Sequence, residues 1–306
     1  DLAHWLTGYF AHMVQRPEEK PLVAIVLRGD KGVGKNALIE LGLGGILGSH
    51  GMVVTDRRYL VGNFNGHLER LLLLTLDEAF WSGDKQGEGI LKGLITGGKH
   101  VIEHKGKEPY TVENKCRVII LGNEDWLVPA SHSERRFAVF DVGNARRQDR
   151  GFFEGIRTGM EAGGYGLLLG RLLAFDLTGC DPSVAPQTQA LIDQKHESLP
   201  AVHQWWFDSL KEGRLLGADF GEEWTLTVEK GRARAAYGRY AKERGLGRYQ
   251  PSERAFGQIL RKCATSMNIH AKVRQGTSTR HAYRFGALEV HRQEWCKFMG
   301  EVVDWE

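Results

Sequence analysis

The chain contains no apolar run approaching the roughly 18 residues of a membrane-spanning helix, and no secretory-leader pattern. Neither membrane insertion nor export is expected. Cysteine is scarce: Cys116, Cys180, Cys263 and Cys296 lie far apart, with no paired spacing. That excludes a zinc-ligand set and a disulfide frame, and fits reduced thiols in a cytoplasmic protein. Internal repeats and low-complexity tracts are absent, so repeat architectures are excluded. Strong net charge is missing too, at +3 over 306 residues. That length is enough for two domains and a sizeable core. The chain begins at Asp1 inside an amphipathic pattern, and we expect a piece of a longer polypeptide with domains ahead of it.

The most informative stretch present is GDKGVGKN, residues 29–36, directly after the apolar run Leu22–Leu27. A strand emptying into a glycine-rich loop is the sequence form of a nucleotide phosphate site. Gly29, Gly32 and Gly34 let the backbone wrap closely around phosphate oxygens. The N–H groups of Asp30, Lys31 and Val33 then turn inward, and the helix opening at Asn36 and Ala37 adds its positive dipole end. Lys35 would reach the β and γ phosphates. One position is off-pattern. Asn36 stands where a Ser or Thr hydroxyl usually binds Mg²⁺.

Apolar periodicity supplies the organisation. Leu2, Trp5, Leu6, Tyr9, Phe10 and Met13 recur at helical spacing, and Pro17 ends that helix (residues 1–16). Asn36–Leu43 reads as a helix and Met52–Thr55 as a strand. Leu71–Leu76, Arg117–Leu121 and Phe137–Val142 read as further strands, the first two buried on both faces. Val101–Glu103 and Tyr110–Val112 flank a turn and form a hairpin over residues 100–113. Strands interleaved with helices predict an α/β fold with a mostly parallel sheet, binding ligands at the strands' C-terminal ends. Leu167–Leu177 and Thr188–His196 are expected helices. A first domain over 1–200 and a second over 201–306 follow, with a linker near Lys211–Glu223.

Three more signals follow the glycine loop in order. LLLLTLDE places Asp77 and Glu78 at the tip of a buried strand. In an ATPase, Asp77 would hold Mg²⁺ and Glu78 would orient the attacking water. RVIILGN puts Asn123 at the end of the next strand, where an amide can bond the γ-phosphate or the lytic water. SERRF supplies Arg135 and Arg136, the guanidinium chemistry that neutralises a transferring phosphoryl group, often from a neighbouring subunit. Each signal alone also fits an ordinary acidic, amide or basic turn on a surface. Their order and spacing together favour the ATPase reading.

With these motifs, most of Asp1–Leu199 resembles superfamily 3 helicases of the AAA+ class, especially the helicase parts of phage and plasmid primase–helicases. The resemblance rests on GDKGVGKN, LLLLTLDE, VIILGN and SERRF, and on the hairpin HVIEHKGKEPYTV with Lys105 and Lys107 at its tip. It implies an AAA+-type P-loop core, ATP and Mg²⁺ as cofactors, and a ring, hexameric in that family's manner, around single-stranded DNA. It also implies a primase or polymerase domain N-terminal in the same polypeptide, and a bacterial host cytoplasm. Tip lysines contacting phosphates would grip DNA without regard to sequence. Asn36 departs from the family. Mg²⁺ needs few protein ligands, so Asp77 with Asn36 and the phosphates would serve, with hydrolysis slowed. Nucleotide-dependent DNA binding or loading without unwinding stays open as the alternative.

From Lys230 to Arg284, fourteen Lys or Arg face two acidic residues, an excess that calls for a polyanion. Arg232–Arg244 reads as a helix broken by Gly245 and Gly247. Ser252 caps a second helix with Phe256, Ile259, Leu260 and Cys263 on one face. Arg254, Gln258, Arg261 and Lys262 occupy the other. Strands Ile269–Arg274 and His281–Phe285 follow, joined by residues 275–279, with Lys272, Arg274 and Arg280 as basic positions. This is the layout of an α+β winged helix-turn-helix domain, and similar modules end many phage primase–helicases, a resemblance that implies forked or origin DNA as its partner. Trp205, Trp206, Trp224, Trp295 and Trp305 are expected in packing. The basic hairpin and this segment argue against a small-molecule P-loop kinase.

Overall fold

The computed structural model describes residues 1–62, 64–78, 85–130, 134–217, 220–246, 250–275, 277–300 and 302–305. Ser133 of SERRF, Gly247 and Gly276 lie outside them. The chain forms two compact units that divide between Lys195 and His196.

The first unit opens with α1 (Leu2–Gln15), where the Asp1 carboxylate accepts from the Ala3 N–H at 3.0 Å. Then come β1 (Ala24–Arg28), the glycine loop and α2 (Lys35–Ala37). The expected α-helix over Asn36–Leu43 widens into a π-helical turn over Leu38–Leu43 before α3 (Gly44–Leu47). Gly42, Gly44 and Gly45 supply the backbone freedom for that change. Next are β2 (Gly51–Val54), α4 (Arg58–Val61), β3 (Leu73–Asp77) and α5 (Lys85–Thr96). A separate antiparallel hairpin, β4 (Lys99–Ile102) with β5 (Tyr110–Glu113), precedes β6 (Arg117–Gly122) and β7 (Phe137–Asp141). Helices α6 (Arg150–Gly159), α7 (Tyr165–Leu173) and α8 (Gln189–Glu197) follow.

Five of these strands form one parallel sheet in the order β2-β3-β6-β1-β7. Burial on both faces explains why β3 and β6 read as unbroken apolar runs: Leu73, Leu74, Leu76 and Val118–Leu121 are all at most 2% exposed. The order matters because β6 sits between β1 and β3. Its end therefore lies between the glycine loop and the acidic strand tip. At the opposite end of β6, buried Arg117 donates to the carbonyls of Arg16 (3.0 Å) and Pro17 (3.3 Å), fastening the exit of α1 to the sheet.

The second unit runs α9 (Ala201–Lys211), β8 (Thr227–Glu229), α10 (Lys230–Glu243), α11 (Glu253–Leu260), β9 (Asn268–Gln275), β10 (Ser278–Arg284) and α12 (Leu288–Met299). The strands pair antiparallel in the order β8-β10-β9. Ser252 caps α11, accepting from the Ala255 N–H at 3.3 Å. Trp205, Trp206 and Trp295 are fully buried, and Trp224 and Trp305 pack against them. The stretch expected as a linker is packed instead. Leu215 is buried, the Leu216 carbonyl accepts from the Trp205 indole at 3.0 Å, and Gly217 lies against the Ala236 carbonyl with no room for a Cβ. Its glycines and charges conceal this role in the sequence.

His291 of α12 is buried, bonded to Glu294 through Nδ1 at 2.8 Å and accepting the Gly286 N–H at Nε2 at 2.9 Å. Burial holds its pKa below the ordinary histidine value, although Glu294 opposes the shift. The unfolded chain therefore binds this proton at higher pH than the native state does. Stability is fully present above about pH 6.5 and is lost as pH falls below it. Urea midpoints should be level from pH 8 to 7 and decline toward pH 5.5, and His291→Ala should lower the midpoint and shrink that decline.

Candidate functional site

The sheet register brings the functional ends level. Arg28 pairs with Gly122 on one side and Asp141 on the other, and Asp77 pairs with Leu121. The glycine loop leaves β1 at this edge. Gly32 and Gly34 adopt φ of +82° and +103°, conformations a side chain would strain, so the loop curls tightly, and the Gly29 N–H at its start bonds the Gly122 carbonyl at 3.2 Å. Val33 is buried and anchors the curl, while Asp30 and Lys31 are exposed. Lys35 is buried, and its ammonium bonds the carbonyls of Gly29 (2.5 Å) and Asp30 (2.9 Å) within the same loop. Burial lowers its pKa against the opposing charges of Asp77, Glu78 and Asp30.

Asn36 reaches across to the acidic strand, and its Nδ2 donates to Asp77 Oδ2 at 2.6 Å. Glu78 follows in the left-handed region at φ +53°, its N–H bonded to the Leu121 carbonyl at 3.1 Å. A non-glycine residue held there stores backbone strain of about 1 kcal/mol or more. The strand ends at Asp77, and Glu78 turns the chain off it. Asn123 follows the end of β6, the strand between β1 and β3, and is half-buried.

Sequence reading missed the supports of this edge. Buried Gln194 of α8 accepts from the N–H groups of Leu127 (2.7 Å) and Val128 (3.1 Å) and donates to the Asp125 carbonyl, fixing the loop that follows Asn123. Arg28 bonds Asp141 at 2.6 Å and Asp193 at 2.8 Å. The one signal available was a charged residue ending an apolar strand.

The arginine pair divides. Arg136 is held by buried Glu134 at 2.6 and 2.8 Å, whereas Arg135 is exposed and gives only its backbone N–H to that carboxylate. Arg136 is therefore a structural partner, and only Arg135 presents its guanidinium outward.

In the hairpin, Lys105 and Lys107 are exposed at a tip turned by Gly106 at φ +75°. In the second unit, Arg254, Arg261 and Lys262 are exposed on α11 and just after it. Lys272 and Arg274 share one face of the β9–β10 ribbon with their cross-strand partners His281 and Thr279. Arg280 faces Val273 and so lies on the other face. Much of the charge on α10 is already engaged. Arg234 bonds the Pro251 carbonyl (2.8 Å), Arg244 pairs with Asp208 (3.0 Å), and Lys230 lies over the Tyr283 ring (5.4 Å).

A cavity of about 620 Å³ adjoins the loop at Gly32, Gly34 and Lys35–Ala37. A larger cleft of about 790 Å³ beside α1 holds none of the candidate residues. Among the described residues no cluster of three or more His, Cys, Asp or Glu could hold a metal, and no helix is long and apolar enough to cross a membrane.

Residues 27–136, the span from β1 to Arg136, match the model of a family of unknown function, DUF5906. Over 149 residues the chain is 30% identical to the DNA Primase-polymerase of Nitratiruptor phage NrS-1, a match covering 47% of this chain and 20% of that protein. Its structure superimposes on the A form apo structure of the NrS-1 C terminal region with a TM-score of 0.65 at 18% identity, covering 92% of this chain and 71% of that one. A second apo structure of that region, residues 305–718, gives a TM-score of 0.63 with the same coverage. The chain thus shares its fold with that region.

The split of the arginine pair is measurable. Arg136→Ala leaves the Glu134 carboxylate buried and unpaired and should cost about 2 kcal/mol in urea unfolding, while Arg135→Ala should stay within about 0.5 kcal/mol of wild type.

Proposed function

We propose that this chain is the ATP-driven DNA helicase part of a phage or mobile-element replication protein, coupling hydrolysis to movement along single-stranded DNA. The observation that carries the reading is the meeting of the glycine loop and the acidic strand tip through Asn36 and Asp77. An AAA+-type P-loop core fits the parallel sheet, with the sensor strand β6 inserted between the loop strand and the acidic strand. The similarity to the NrS-1 protein supports a place in phage DNA replication, and its primase-polymerase name supports such a domain ahead of this one in a bacterial cytoplasm.

In this mechanism phosphates enter the curl of Gly29–Gly34, and Lys35 exchanges its loop carbonyls for the β and γ oxygens. Asp77 and Asn36 fit Mg²⁺: one offers a carboxylate and the other, with its amide turned over, a neutral oxygen. Bound there, the ion would neutralise charge on the phosphate chain. Glu78 holds the attacking water in line and polarises it, and Asn123 bonds the γ-phosphate. Arg135 completes the charge from an adjacent copy in a hexameric ring. Lys105 and Lys107 hold the DNA backbone. The order of α9, β8, α10, α11 and the β9–β10 ribbon supports the winged helix-turn-helix reading. There Arg254, Arg261 and Lys262 face forked or origin duplex, and Lys272, Arg274 and Arg280 lie on the wing.

The Asn36–Asp77 bond also favours a second reading, a nucleotide-dependent DNA-binding or loading module that does not unwind. It occupies the carboxylate that hydrolysis needs. Strand displacement on a forked duplex separates the two readings, because only the motor releases a strand. Lys35→Ala should abolish ATP turnover, and undiminished turnover would refute the site. Lys105→Ala with Lys107→Ala should reduce stimulation by single-stranded DNA at least tenfold and leave basal turnover intact.

A further inference from the structure

We infer that Arg150 binds nucleotide phosphate from within the same chain, with α6 as the second wall of the site; this rests on reading the glycine loop as a nucleotide site. Helix α6 has no buried residue, yet it is strongly two-faced. Arg150, Phe153, Glu154 and Arg157 stand at i, i+3, i+4 and i+7, which places them on one helical face. All four border the 620 Å³ cavity opposite the loop.

That face is fastened to the loop. The Phe153 ring lies so close to Gly34 that a Cβ there would come within 2.6 Å of it. The Gln148 N–H donates to the Gly32 carbonyl at 2.9 Å, with Gln148 itself at φ +59°. Arg147 bonds Asp30 at 2.7 Å. Three contacts of different kinds thus hold residues 147–153 against the phosphate loop.

The surrounding cations differ in what they have left to offer. Arg146 pairs with Asp149 at 3.0 Å and lies over Phe152, Arg147 is bound to Asp30, and Arg157 lies 3.5 Å from Glu154. The Arg150 guanidinium has no partner among the described residues. It also sits in the first turn of α6, where the helix dipole disfavours a cation. A phosphate in the cavity would satisfy its planar donors, which match phosphate oxygens in pairs. Arg150 therefore acts on binding in a single chain, unlike Arg135, whose proposed role needs a neighbour.

The test is calorimetric titration of the whole chain with adenosine, ADP and a non-hydrolysable ATP analogue. Arg150→Gln should weaken ADP and the analogue about tenfold, the scale of one charge-assisted bond, and leave adenosine unchanged. Arg150→Lys should recover part of the loss. If Arg150→Gln binds the analogue as tightly as wild type while Lys35→Ala does not bind it, the inference falls and the loop assignment stands. An equal loss for adenosine would also overturn it, by showing a structural effect. If wild type binds none of the three, the nucleotide-site reading itself falls, and the inference with it.

Discussion

The hydrogen bond from Asn36 to Asp77 is the contact on which the site depends. These residues lie 41 positions apart in the chain, Asn36 on α2 beyond the loop that leaves β1 and Asp77 at the end of β3, with β6 between the two strands. Neighbouring strands stand about 4.8 Å apart, so the tips of β1 and β3 are roughly 10 Å from each other. A side chain bridges that gap only if the loop rises off β1 and folds back over the sheet edge. The positive φ of Gly32 and Gly34 produces that fold, and buried Val33 holds it. The residue that makes this bond, Asn36, is also the one at which the proposed nucleotide site departs from the usual Ser or Thr.

Around that contact the fold works as a set of braces. Arg28 ties β1 to β7 and α8. Gln194 holds the loop after Asn123, and Glu134 holds the turn before β7 through Arg136. The first two braces act at the edge where β1, β3 and β6 end, so small groups such as Asn123 and Glu78 have a rigid surround, while the Glu134–Arg136 pair acts at the opposite edge, where β7 starts beside Ala24. The second unit separates its charge in a similar way. Cations on α10 bond carbonyls, carboxylates and rings, while those on α11 and the β9–β10 ribbon remain at the surface. Net charge along the sequence therefore overstates the area presented to a polyanion and blurs its position.

Much of this was legible before the structure. The buried strands announce themselves because both faces are apolar, and the tight turn within GDKGVGKN is marked by its closely spaced glycines. The hairpin was marked by its charged turn, and α11 by Ser252 and its apolar stripe. Helix α6 was not legible. RGFFEGIRTG carries Gly151 and Gly155 inside it, which lower helix propensity, and none of its residues is buried. β8 is only three residues long, too short for any periodicity. The supports Arg28–Asp193 and Gln194–Leu127 join residues 165 and 67 positions apart, and nothing local encodes such pairs. The division of labour between Arg135 and Arg136 needed the buried position of Glu134.

The central claim is that Asn36 and Asp77 together form the metal-facing side of an ATP site. The most direct measurement is the Mg²⁺ dependence of ATP turnover in wild type and Asn36→Ser. A serine hydroxyl replaces the amide and frees the Asp77 carboxylate from its bond. The account predicts that wild type turns over slowly and needs more Mg²⁺ for half-maximal rate, and that Asn36→Ser is faster and saturates at lower Mg²⁺. Identical Mg²⁺ profiles for the two proteins, or turnover indifferent to Mg²⁺, would contradict it.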